Sequence, residues 1–156
     1  MANTYTQIYI HTVFAVEGRQ SLIAKEHKIE IYKYMTGVIQ NKKQKVMAIS
    51  GMPDHVHLLI GLSPDIALSD LVKDVKVASS SLINDKRWVR GHFNWQRGFG
   101  AFSYSRSQVS TVAKYIENQE QHHAKRSFRD EYVALLKKFD VEYDPAYLFT
   151  FVEDVG

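Results

Sequence analysis

The stretch Met52-Pro53-Asp54-His55-Val56-His57-Leu58-Leu59-Ile60 constrains this chain most. It is an apolar run interrupted by two histidines spaced two apart. Successive side chains of a β-strand point to opposite faces, so His55, His57 and Leu59 share one face. Val56, Leu58 and Ile60 point the other way, into a core. Two imidazoles side by side on one face of a buried strand make half of a metal site, since neighbours at i and i+2 can converge on one ion.

The elements around that strand follow from periodicity. Residues 5–16 alternate and are rich in β-branched and aromatic types, which predicts a strand with Ile8, Ile10 and Phe14 on one face and Tyr9, His11 and Val13 on the other. From Ala24 to Lys43 apolar positions recur at three and four, the signature of a helix. Lys45 to Ser50 reads as a strand joined to the histidine strand through a loop of about four residues, Gly51 to Asp54. Ser69 is the expected N-cap of a second helix ending near Asn84-Asp85. A loop leads to a short strand at 101–105. A third helix is expected from Ser107 or Gln108 to His122, and a fourth from Ser127 to Phe139. The tail from Asp144 carries no firm pattern.

Strand, helix, strand, strand, helix, strand predicts a ferredoxin-like, RRM-like α+β fold. Helices 24–43 and 69–84 would cover one face of an antiparallel sheet. The histidine face would be left to helix 108–122. The 156 residues fit a single domain spanning 1–156, with its core at about 5–140.

Composition narrows the chemistry. With no cysteine, disulfides, thiolate catalysis and Cys-ligated zinc or iron–sulfur sites are excluded, and a metal must be held by His, carboxylate, amide or carbonyl groups. No membrane span or signal segment is legible, so an intracellular, cytoplasmic protein is expected. Gly-x-x-x-x-Gly-Lys and Gly-x-Ser-x-Gly are both missing, which argues against a nucleotide-hydrolysing motor and a serine hydrolase.

Three groups of residues carry chemistry. His55 and His57 favour metal binding over a purely structural role. Tyr115 and Gln119 lie four apart, so on a helix they stack on one flank at the border of the Val109, Val112, Ala113, Ile116 stripe. A tyrosine there commonly snorkels its hydroxyl to water; the functional alternative is a nucleophile with Gln119 as a metal ligand. His122 and His123, at the end of the same helix, compete with Gln119 for that place.

The third group is electrostatic. The net charge of +3 says little, but from Lys86 through Ile116 there is no Asp or Glu, in a chain with 17 of them. Arg87, Arg90, Arg97, Arg106 and Lys114 alternate there with Trp95, Phe99 and other aromatics. Cations engage phosphates and flat rings stack on unpaired bases, so the mixture suits single-stranded nucleic acid. The later cluster Lys125, Arg126 and Arg129 reads as a solvated helix face.

With these residues assembled, the chain resembles the single-tyrosine transposases of the IS200/IS605 family, within the HUH endonuclease superfamily. Pro53-Asp54-His55-Val56-His57-Leu58-Leu59 is similar to that family's His-hydrophobic-His motif. Trp95-Gln96-Arg97-Gly98-Phe99-Gly100-Ala101-Phe102 is similar to its Trp-Gln-x-Gly-aromatic-Gly-Ala-Phe signature, and Tyr115-Ile116-Glu117-Asn118-Gln119 to its catalytic helix. The three motifs occur in the family's order, and the likeness runs from about Tyr5 to Lys138.

The resemblance implies His55, His57 and Gln119 as ligands of Mg²⁺ or Mn²⁺ and Tyr115 as nucleophile. It implies a homodimer with composite sites, acting on single-stranded DNA with hairpin ends through a 5′-phosphotyrosine. Other readings are a domesticated relative that processes palindromes, a replication-initiator-type nickase and a non-catalytic single-strand-binding module. The proton acceptor for Tyr115 stays unnamed at this level.

Overall fold

The computed structural model describes residues 3–20 and 22–148. Four strands, β1 (Tyr9–Ala15), β2 (Lys45–Met52), β3 (His55–Gly61) and β4 (Gly100–Tyr104), form an antiparallel sheet in the order β2-β3-β1-β4. This is the predicted α+β arrangement. The histidine strand occupies a central position, so side chains on both of its faces can be buried.

One face of the sheet is covered by α1 (Lys25–Asn41) and α2 (Leu68–Lys86). Phe14, Val56, Leu58 and Ile60 from the strands meet Ile31, Met35 and Ile39 of α1 and Leu71, Val75 and Ile83 of α2 there. Each fully buried aliphatic or aromatic side chain contributes roughly 1.5–3 kcal/mol, so this layer anchors the fold. α2 begins two residues earlier than its expected Ser69 cap allows: Ala67 stands at the N-cap without a side-chain bond. It ends with Arg87 in the left-handed region.

The opposite face carries α3 (Val109–Glu117), α4 (Gln119–His123) and α5 (Phe128–Lys138). Leu59 and Ala48 pack with Val109, Val112 and Ile116, whereas Val13, Ala15 and Phe102 pack with Phe128, Tyr132, Leu135 and Leu136. The expected helix to His122 is broken in two at Asn118, whose φ of −98° and ψ of 28° leave the helical region. Ser127 caps α5, its side chain accepting from the Asp130 N–H.

The β2–β3 hairpin is tighter than its expected loop of four, since the strands run to Met52 and resume at His55. Gly51 makes this possible. A Cβ there would lie 2.2 Å from the His55 carbonyl oxygen, which is backbone and cannot swing aside. The expected strand at residues 5–16 is confined to Tyr9–Ala15, and part of the C-terminal tail, residues 149–156, lies outside the described residues.

Candidate active site

Alternation along β3 sends His55, His57 and Leu59 toward α3 and α5, and all three are fully buried. The two imidazoles enter a closed polar network. His55 Nδ1 lies 2.7 Å from Asp54 Oδ1. A carboxylate at that distance only accepts, so Nδ1 carries the ring proton and Nε2 presents its lone pair. That lone pair faces the Gln119 side-chain oxygen at 3.3 Å.

His57 is held similarly. Its Nδ1 is 2.7 Å from Nε2 of His11, which sits diagonally across on β1. Its Nε2 is 3.0 Å from Oε1 of Glu131. His11 and His57 also stack, their ring centroids 5.0 Å apart. Burial, with His57 next, holds His11 well below the ordinary histidine range, and burial pulls His55 down to about 4 against the opposing bond to Asp54. His55 is therefore neutral at pH 7, the form that can ligate a cation.

Glu131 is the residue that sequence reasoning missed. It is 2% exposed and lies at the centre of the site. Oε1 lies 3.0 Å from His57 Nε2, 3.2 Å from His123 Nε2 and 3.7 Å from His55 Nε2. Oε2 accepts from the Tyr115 hydroxyl and, at 3.2 Å, from the Gln119 amide nitrogen. Burial alone would raise this carboxyl, but His57, His123 and Tyr115 outweigh it and hold it well below the usual carboxylate range. The Tyr115 phenol moves the other way, raised well above its ordinary value by burial and by the Glu131 charge. A signal did exist: Glu131 falls inside the helical stripe Phe128, Tyr132, Leu135, Leu136, where a carboxylate is out of place.

Tyr115, Gln119, His55 and His57 thus converge within one chain. His123 joins them, Nε2 lying 3.2 Å from the Gln119 oxygen, while His122 lies against the Tyr115 ring instead. The donor set fits a divalent cation. One ligand atom each from His55, His57 and Glu131 lie within 4.8 Å of one another. The neighbouring separations of 3.0–3.7 Å fall at or slightly above the edge, about 3 Å, of an octahedron with bonds of about 2.1 Å. The lone pairs of His55 and Gln119 face each other with no proton from His55 between them, an arrangement a cation would relieve.

A cleft of about 250 Å³ leads to Tyr115 and Glu131, lined also by Tyr104, Arg126, Leu135 and Lys138. Two cations therefore stand at the mouth of the site. Arg126 belongs to the cluster expected to be only a solvated face.

The acid-free segment wraps around the β4 edge, so its residues divide between the layers. Arg87, Arg90 and Arg97 follow α2 and are exposed; Arg106 and Lys114 are exposed on the α3 side. Trp95 and Phe99 are partly buried against the α1–α2 core. Trp95 meets Phe14 and Phe93 edge-on and donates its indole N–H to Ser79 Oγ at 2.9 Å. Gln96 reaches the Val16 carbonyl, and Lys76 Nζ donates to the carbonyls of Gln96 and Gly98 at 2.9 and 2.6 Å. With φ at +82°, Gly98 takes the turn that leaves Arg97 outward. The tryptophan and glutamine thus secure the loop, and the arginine between them and the glycine faces solvent.

Comparison with known proteins gives a consistent result. The family model described as "Transposase IS200 like" matches residues 4–119. The ISDra2 transposase TnpA of Deinococcus radiodurans is 27% identical over 120 residues, 72% of this chain and 84% of that protein. A crystal structure of a Deinococcus radiodurans protein assigned as a transposase superposes with a TM-score of 0.60 at 23% identity, covering 76% of this chain and 95% of the other. The REP-associated tyrosine transposase bound to a REP hairpin superposes at 0.57 with 14% identity, covering 76% and 70%. These superpositions agree with the fold described above.

Proposed function

The chain belongs to the IS200-like transposase family, and from that premise we propose that it is a metal-dependent enzyme that nicks and rejoins single-stranded DNA bearing hairpin ends. The observation that carries this reading is the meeting of Tyr115 with His55, His57 and Gln119 in one buried network.

In this reading His55, His57 and Gln119 hold Mg²⁺ or Mn²⁺, which supplies charge stabilisation at a phosphoryl oxygen when bound. Asp54 and His11 orient the two imidazoles from behind. The scissile phosphate enters through the cleft beside Arg126 and Lys138, whose charges offset its own. The Tyr115 oxygen forms a bond to phosphorus as the bond to the 3′ oxygen breaks. The products are a 5′-phosphotyrosine and a free 3′-hydroxyl, the proton lost by the Tyr115 phenol balancing the one gained by the leaving oxygen. A second 3′-hydroxyl reverses the step on a new end. One phosphate ester replaces another, so no nucleotide hydrolysis is needed. Arg87, Arg90, Arg97, Arg106 and Lys114 contact the strand around the β4 edge, while Trp95 and Phe99 shape the loop that presents Arg97.

The test is incubation with single-stranded DNA carrying hairpin ends and Mg²⁺ or Mn²⁺, followed by denaturing separation of covalent adducts. An adduct is expected with the wild-type chain and none with Tyr115→Phe, whose DNA affinity stays unchanged. An adduct that survives Tyr115→Phe rejects the nucleophile, and DNA binding without any adduct or metal dependence marks a non-catalytic module.

A further inference from the structure

We propose that Glu131 couples the metal position to the nucleophile, one carboxylate oxygen completing the ion's ligand set while the other holds the Tyr115 hydroxyl. The inference rests on the reading above and adds a residue that the family match does not reach, since that match ends at Gln119.

The two oxygens of Glu131 face different partners. Oε1 looks toward the imidazoles, 3.0 Å from His57, 3.2 Å from His123 and 3.7 Å from His55. Oε2 looks toward Tyr115 and Gln119. Its partners there are imidazoles, a phenol and an amide, none with the permanent charge of a lysine or arginine. A buried carboxylate is strongly unfavourable unless a charge matches it, and an apolar residue would suit this stripe of α5 better. A cation at Oε1 supplies a permanent charge.

The position of Glu131 is fixed from both sides. Phe128, one turn earlier, stacks on the His55 ring at 3.8 Å with the planes 2° apart. Tyr132, the next residue, fills the space over Gly100, where a Cβ would meet its ring at 2.6–3.0 Å. Glu131 therefore cannot shift along the sheet without disturbing a histidine or β4. Because the carboxylate is rigid, an ion bound at one oxygen sets where the tyrosine oxygen waits at the other. Glu131 is in this sense a positioning residue, and the ion and nucleophile are placed by one group.

The test measures Mn²⁺ binding to the full chain by calorimetry and adduct formation at saturating Mn²⁺. Wild type binds Mn²⁺ and His57→Ala does not. Glu131→Gln weakens binding by at least about tenfold, whereas Tyr115→Phe leaves it within about twofold because the phenol is not a ligand. At saturating Mn²⁺, Glu131→Gln lowers kcat for adduct formation and leaves KM for DNA unchanged. Glu131→Asp keeps the charge on a shorter arm, so Mn²⁺ affinity returns and kcat does not. A Glu131→Gln variant with wild-type affinity and kcat overturns the inference alone. So does a Glu131→Asp variant that recovers affinity and rate together. A wild-type chain that binds no Mn²⁺ overturns the metal reading itself, so the two failures are separable.

Discussion

Asp54 grips the ring of His55 through a 2.7 Å bond to Nδ1, and so decides which nitrogen of that ring faces Gln119. The two residues are adjacent in sequence at the tip of the β2–β3 hairpin. The strand therefore brings its own orienting carboxylate. A metal-binding histidine whose other nitrogen donates to a carboxylate keeps one tautomer and gains basicity. Replacing Asp54 by Ala should weaken Mn²⁺ binding by about 10–100-fold with the fold retained, as read by calorimetry and circular dichroism. Unchanged affinity would mean that the bond positions the hairpin and not the ligand.

Two glycines near the site should differ sharply in what they tolerate. At Gly51 the added Cβ meets the His55 carbonyl oxygen at 2.2 Å, and at Gly100 it meets the hydroxyl end of Tyr132 at 2.6 Å. The first obstacle is backbone within a sheet, the second a side chain on α5. Gly100→Ala should destabilise by about 1–3 kcal/mol, as overpacking does, and Gly51→Ala by more, with the loss of Mn²⁺ binding because His55 is displaced. Denaturant melts and calorimetry on both variants check the order; equal melts would contradict it.

What could be read from the sequence differs between sheet and site. Alternation placed His55 and His57 on one face because a strand's period is set by its own backbone, and β3 obeys it. Tyr115 and Gln119 were legible through their helical spacing, although the break at Asn118 puts them on two helices. Glu131 escaped because it arrives from α5, and no local pattern relates a helix near the C-terminal end to a strand 74 residues earlier. Trp95 was legible as an aromatic beside cations, but which side of its loop it faces is settled by Ser79 and Phe14, on other elements.

Lys76 supplies a pH dependence remote from the histidines. Burial pushes its ammonium down from 10.5 to about 8. It lies over the Phe14 ring and donates to the Gln96 and Gly98 carbonyls, and Lys73 and Arg97 line the same groove. Below pH 8 folded and unfolded chains both hold the proton, so its contribution is constant. Between about 8 and 10.5 the unfolded chain binds the extra proton, and stability rises with pH. The stability of wild type relative to Lys76→Met should therefore climb across that window in urea melts at stepped pH. A flat or falling difference would refute the buried-ammonium account.

The last prediction concerns who completes whose site. The resemblance implied composite sites, with the tyrosine of one subunit serving the histidines of another. Here Tyr115, Gln119 and Glu131 reach His55 and His57 of the same chain, and the contact is buried. α5 reinforces this closure, because Phe128 on His55 and Glu131 on His57 tie the layer holding Tyr115 to the sheet beneath it. If the chain cuts in this arrangement, His57→Ala and Tyr115→Phe remain inactive when mixed, since neither contains a whole site. In a trans arrangement the mixture would regain adduct, formed by the intact Tyr115 of the His57→Ala chain beside the intact histidines of the Tyr115→Phe chain. Denaturing gels of the separate and mixed variants, with one of them carrying a size tag, distinguish the two by whether an adduct forms and on which chain.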